Sequence, residues 1–195
     1  MLIHLLLGFF VKIITGFDDT LTNVPILASV TKVRMGKIAF SIGTIIAIAL
    51  AIIISIFFAS LLAGFSYYRY ISAGLIFLLA TLIHFDVFVH KPRTKAEKKL
   101  LKMKKLSTER FTRLVGIGFL ASFATVLDDI IAYTPLFLGS LTIKILAIIG
   151  IMAGTLLEIF AVIYFAEKIA KIKYKEEIAS LGLVILGILI LAGVI

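Results

Sequence analysis

The chain alternates long uncharged stretches with short segments rich in lysine and arginine. Residues 39–64 contain no charged side chain, and apolar runs longer than about 18 residues are typical of membrane-spanning helices. This pattern predicts an all-α integral membrane protein with six transmembrane helices. The predicted spans are 2–31, 38–64, 66–90, 111–142, 145–166 and 178–195.

The basic residues fall in every second predicted connection. Residues 31–37, 91–113 and 167–177 are rich in lysine and arginine, whereas the other two connections hold one basic residue each. Because basic loops stay in the cytoplasm, this predicts a multi-pass plasma-membrane protein with both termini extracellular. Within the central loop, Thr94 and Glu97 have the spacing of a capping box. The segment is either an amphipathic helix that lies on lipid headgroups or a solvated loop with no further role.

Composition narrows the class of protein. The 195 residues are 62% hydrophobic with a formal net charge of +9 and no cysteine. The absence of cysteine excludes disulfides, thiolate metal sites and thiol-redox transfer. In a membrane protein the positive charge marks cytoplasmic loops and not a nucleic-acid surface. The expected partners are therefore the lipid bilayer and a small substrate, with no nucleic acid and with homo-oligomerisation left open. The first stretch lacks the features of a cleavable signal peptide, so we expect it to remain as a span.

Two acidic motifs reveal an internal repeat. "GFDDTLTNVP" at 16–25 and "VLDDIIAYTP" at 126–135 align when the chain is shifted by 110 residues, and "GTIIAIA" at 43–49 parallels "GTLLEIF" at 154–160. The predicted organisation is repeat 1, a basic cytoplasmic loop and repeat 2, at 1–90, 91–110 and 111–195. Because each repeat has three spans, an odd number, the second repeat enters the membrane in the opposite orientation. Many secondary transporters have this inverted-repeat architecture.

The acidic pairs fall near the middle of two overlong spans. A 30-residue helix is about 45 Å long, against a hydrocarbon core of about 30 Å, so each span is tilted or broken. Pro25 and Pro135 each free a backbone carbonyl, and Gly16 permits a bend. A carboxylate at this depth costs at least about 2.5 kcal/mol unless it meets a cation, a proton or a polar cavity. We therefore expect helix breaks and a divalent-cation site there.

Asp18 and Asp128 are the predicted inner ligands because they share a helix face with the prolines; Asp19 and Asp129 are secondary ligands or proton carriers. The remaining predicted ligands are Thr22, Asn23 and Glu158. Two alternatives stay open: the pairs cap short surface helices, and Glu158 is a protonated, hydrogen-bonded carboxyl.

The other polar residues in the predicted spans have two interpretations each. His84 and Asp86, with His90 nearby, form a proton relay at the cytoplasmic mouth or interact with headgroups. Lys12 pairs with Asp19 as an internal cation, or extends to the membrane surface.

Residues 15–27 and 112–137 resemble the two signatures of the cadmium-resistance transporter family of the LysE superfamily. The resemblance implies an exporter of divalent metal ions built from paired three-helix repeats, with Asp18 and Asp128 on the family's aspartate positions. Some relatives carry a cysteine just before the second aspartate, where this chain has "ATVL" at 124–127. Without a thiolate, Mn²⁺, Ca²⁺ or Mg²⁺ suits the site at least as well as Cd²⁺. A weaker similarity is to calcium/manganese–proton exchangers.

The predicted function is secondary active export of a divalent cation, with no permanent cofactor and no enzymatic activity. The sequence contains no nucleotide-binding motif, so a gradient of protons or another ion supplies the energy. The alternative is an intramembrane metal-dependent enzyme resembling a prenyltransferase or an aspartyl protease. Against it, Thr22 and Ala132 stand where the first class has a third acid, and the Gly-x-Gly-Asp loop of the second is missing.

Overall fold

The computed structural model describes residues 2–30, 34–84, 109–123, 126–169 and 175–193, and the side chains of the first helix as far as residue 16. These residues form helices and connecting turns, with no β-strand among them. The elements are α1 (Leu2–Val30), α2 (Arg34–Leu62), α3 (Tyr68–His84), α4 (Glu109–Phe123), α5 (Val126–Tyr133), a 3₁₀ turn (Thr134–Phe137), α6 (Leu141–Ile169) and α7 (Lys175–Leu191).

Two of the described helices are long and apolar enough to cross a membrane, over Gly36–Leu62 in α2 and Leu141–Phe165 in α6. Large apolar side chains also cover their outer faces: Ile53 and Phe57 are 63% and 61% exposed, and Phe160 is 51% exposed. Such faces are unusual against water and natural against lipid. The all-α prediction is confirmed, and the predicted bounds of the long helices agree to within a few residues.

The predicted span 111–142 is not one helix. It consists of α4, α5 and the buried 3₁₀ turn, and residues 138–140 are not helical. The cause lies at Pro135, which has no N–H for the carbonyl four residues earlier. The carbonyl that Pro135 leaves without this partner is that of Ile131. The neighbouring Ile130 carbonyl accepts a hydrogen bond from the Thr134 hydroxyl at 2.7 Å and lies 3.2 Å from the Ser55 hydroxyl. Side-chain hydroxyls therefore satisfy the backbone where the α-helix ends.

The break expected near Gly16 and Pro25 does not interrupt α1, which is helical from Leu2 to Val30. A proline removes one backbone donor, and a long helix tolerates this loss when its flanking turns remain bonded. Residues 85–90 of the third predicted span lie outside the described residues.

Each of the three main helix pairs joins the first part of the chain to the second: α1 packs most extensively on α6, α2 on α4, and α3 on α7. In the α1–α6 pair, Gly8 lies against the backbone of Ala147, and Gly150 lies against the backbone of Leu5 and Phe9. A side chain at either glycine would collide with backbone atoms, so the two helices approach more closely than larger residues would allow.

The α2–α4 pair repeats this arrangement. Gly118 lies against the backbone of Phe40, and Gly43 lies against that of Val115 and Phe119. In α4, Val115, Gly118 and Phe119 lie 110 positions after Leu5, Gly8 and Phe9 of α1. In α6, Ala147 and Gly150 lie 107 positions after Phe40 and Gly43 of α2. The two interfaces therefore show the same glycine spacing, with the earlier and later chain segments exchanged. This spacing matches Gly43 with Gly150, about one helical turn away from the predicted alignment of 43–49 with 154–160.

We predict that Gly118→Ala lowers the stability of the protein. The added Cβ would lie 2.6 Å from the Phe40 carbonyl oxygen, and overpacking of this kind costs about 1–3 kcal/mol. The matched control is Gly116→Ala in the same helix, where nothing lies within 4 Å of the added atom and alanine gains about 0.5–1 kcal/mol in helix propensity. Thermal unfolding in detergent, followed by circular dichroism, measures both; equal melting temperatures would contradict the close approach of α2 and α4.

Candidate functional site

Lys12 lies at the centre of a buried group of charged side chains. Its side chain is 0% exposed, and its Nζ atom lies 3.2 Å from Asp129 Oδ2 and 3.0 Å from Glu158 Oε2. One ammonium group therefore joins α1, α5 and α6. The interpretation in which Lys12 extends to the membrane surface is wrong, because the side chain points into the protein. We call Lys12, Asp129 and Glu158 the charge cluster.

Thr15, one turn after Lys12 in α1, also contacts the Asp129 carboxylate. Its hydroxyl oxygen lies 2.5 Å from Asp129 Oδ1, and 3.1 and 3.4 Å from the carbonyls of Val11 and Lys12. A hydroxyl donates only one hydrogen bond, and the short distance to a charged acceptor indicates that Thr15 donates it to Asp129.

Two glycines make room for the charged side chains. A Cβ atom at Gly16 would lie 2.6 Å from Glu158 Oε2, so the carboxyl group of Glu158 occupies the space that a side chain at Gly16 would fill. A Cβ atom at Gly154 would lie 3.0 Å from the Cβ of Lys12. Gly16 is thus part of the site, as the sequence predicted, but by leaving space and not by breaking the helix.

Tyr133 places a phenol beside the charge cluster. It is fully buried, and its charged neighbours are Asp129, Lys12 and Glu158. Its hydroxyl is poorly aligned for a hydrogen bond but interacts with the Asp129 carboxylate. Tyr133 therefore adds a neutral oxygen to the surroundings of the charge cluster.

The structure separates the two members of the second acidic pair. Asp129 is fully buried in the charge cluster, whereas Asp128 is half-buried, and its Oδ1 accepts the backbone N–H of Asp129 at 3.0 Å. The sequence predicted Asp128 as the inner ligand. The burial of Asp129 differs from the surface position that the capping alternative assumes.

The other predicted site residues are placed only in part. His84 is the last residue of α3 and is exposed. Asp86 and His90 lie outside the described residues, as do the side chains of the first acidic motif: Asp18, Asp19, Thr22, Asn23 and Pro25. Within the part of the chain that is described, no three acidic or histidine side chains are grouped to hold a metal ion.

Sequence reasoning missed Thr15 and Tyr133. Thr15 follows Lys12 by three residues and Tyr133 follows Asp129 by four, which are the spacings that place side chains on one helix face. That spacing was the available signal.

No family model, no curated protein and no solved structure matches the chain. The resemblance to the cadmium-resistance transporters therefore stays a prediction.

We predict that Thr15→Val destabilises the protein more than Thr155→Val. Both threonines are fully buried, and Thr155 donates to the Ile151 carbonyl of its own helix at 2.9 Å. Valine at position 15 would remove a donor from a buried carboxylate, a loss of about 1–3 kcal/mol. Circular dichroism melting curves compare the two variants, and a Thr15→Val protein as stable as Thr155→Val would show that Asp129 does not need this hydroxyl.

Proposed function

We propose that this chain is a multi-pass membrane protein that exports divalent metal cations by secondary active transport. One observation carries the proposal: a charge cluster that is almost completely buried lies beside an interrupted helix, inside an assembly whose outer faces are apolar. Ionisable residues inside a membrane protein mark ion or substrate pathways, and interrupted helices supply the ion sites of many secondary transporters.

The packing of the helices supports six spans arranged as two inverted repeats. The exchanged glycine contacts of the α1–α6 and α2–α4 pairs are those expected from two related units facing each other about a pseudo-twofold axis. With three spans in each unit, the second unit crosses the membrane in the opposite direction.

The donor atoms of the site favour a hard cation. Asp129 and Glu158 offer carboxylate oxygens, Thr15 and Tyr133 offer hydroxyls, and Asp128 lies next to them in the chain. Together with the predicted ligands of the first acidic motif, these are the oxygen ligands that Mg²⁺, Mn²⁺ and Ca²⁺ prefer. A gradient of protons or of another ion drives the export.

The packing indicates which parts of the transporter move together. Where backbone lies directly against backbone, two helices cannot slide without collision. We therefore expect α1 with α6, and α2 with α4, to move as two rigid pairs. Each pair contains one helix from each repeat, so the moving bodies differ from the two halves of the sequence.

We predict that Asp129→Asn and Asp18→Asn each reduce metal flux about tenfold or more, as expected when a charged ligand is lost. The purified protein is reconstituted into liposomes, and dyes follow Mn²⁺, Ca²⁺, Cd²⁺ and pH. Glu177→Gln is the control, because this acid is exposed near the start of α7. A wild-type protein that moves none of these ions, or variants that keep full flux, would refute the transport proposal.

A second prediction tests the rigid pairs. The hydroxyl oxygens of Thr44 in α2 and Ser122 in α4 are 3.0 Å apart, and the chain has no native cysteine to interfere. We expect the double variant Thr44→Cys/Ser122→Cys to form a disulfide under oxidation and to keep its transport rate, because the bond lies within one moving pair. Peptide mapping confirms the bond. Transport that stops on oxidation and recovers on reduction would show that α2 and α4 move relative to each other.

A further inference from the structure

Two members of the charge cluster, Lys12 and Glu158, have no charged equivalent in the other half of the chain. The position 110 residues after Lys12 is Ser122, whose hydroxyl donates to Thr44 at 3.0 Å. The position 107 residues before Glu158 is the fully buried Ala51. The equivalent helix interface is thus built from small neutral residues, so the packing itself requires neither the ammonium group of Lys12 nor the carboxylate of Glu158.

Buried ion pairs also contribute little to stability. The free energy needed to remove two charges from water is about as large as the free energy gained from their attraction. Neutral side chains of similar volume often give equal or greater stability. The cluster would therefore be an expensive way to hold α1, α5 and α6 together.

We propose that Lys12 is a built-in counter-ion: its ammonium group neutralises Asp129 and Glu158 while the site holds no metal, and it releases them when a divalent cation binds. The inference rests on the proposed transport function. A divalent cation attracts a carboxylate more strongly than an ammonium group does, and the two cations repel each other at short range. The flexible stem of lysine allows the displacement.

This role has a consequence for the transport cycle. A carrier that has released its metal must return with its carboxylates buried, and unpaired carboxylates would make that step slow. With Lys12 in contact with Asp129 and Glu158, the empty carrier can return without a coupled ion at these two groups.

The test compares two kinds of flux in liposomes. Exchange of external ⁵⁴Mn²⁺ for internal Mn²⁺ uses only the loaded carrier, whereas net Mn²⁺ efflux also requires the empty carrier to return. We expect Lys12→Met to keep the exchange and to lose most of the net efflux, and to bind Mn²⁺ about tenfold more tightly in calorimetric titration because the competing charge is gone. Lys12→Arg, which retains the charge, keeps both fluxes. Lys144→Met in the first turns of α6 is the control for the loss of a lysine elsewhere and keeps both.

Net efflux at the wild-type rate in Lys12→Met would overturn the counter-ion role, and so would loss of both fluxes in a protein that still melts like the wild type. If Lys12→Met does not fold, the neutral polar variant Lys12→Gln is measured in its place and decides in the same way. A wild-type protein without either flux would instead refute the proposed function.

Discussion

The close approach of α1 and α6 at Gly8 and Gly150 determines where Lys12 and Glu158 meet. Lys12 and Gly16 follow Gly8 at intervals of four residues, and Gly154 and Glu158 follow Gly150 in the same way. Residues four apart share a helix face, so the contact between the two backbones continues directly into the contact between Lys12 and Glu158. The cluster is an extension of the helix interface, and its geometry is as rigid as that interface.

The third member of the cluster, Asp129, lies on α5, shortly before the α-helix is interrupted. Pro135 has no N–H to continue the α-helical hydrogen bonds, and the Thr134 hydroxyl donates to the Ile130 carbonyl beside it. One turn after Asp129, the same helix places Tyr133 next to the cluster. The α-helix that carries both side chains therefore ends directly after them because of local proline chemistry.

The sequence predicted the features that depend on local rules. Long apolar stretches identified the helices, and the missing N–H of Pro135 indicated the break. The features it did not predict depend on contacts between distant residues. Which aspartate faces inward is decided by how α5 is rotated against α1, and Lys12 pairs with a residue 117 positions away. The identity of Gly16 as a site residue was predicted, but its role as space for the Glu158 carboxyl required the position of α6.

Under the proposed transport function, the neutral contact between Ser122 and Thr44 has a consequence for the energy of the two end states. In a transporter made of two inverted repeats, the inward-facing and outward-facing forms arise when the repeats exchange conformations, and identical repeats would give the two forms equal energy. In this chain the ammonium group of Lys12 would correspond to the hydroxyl of Ser122. The two forms would then differ in how many buried charges are paired, and the empty protein would have a preferred side at rest even without a gradient.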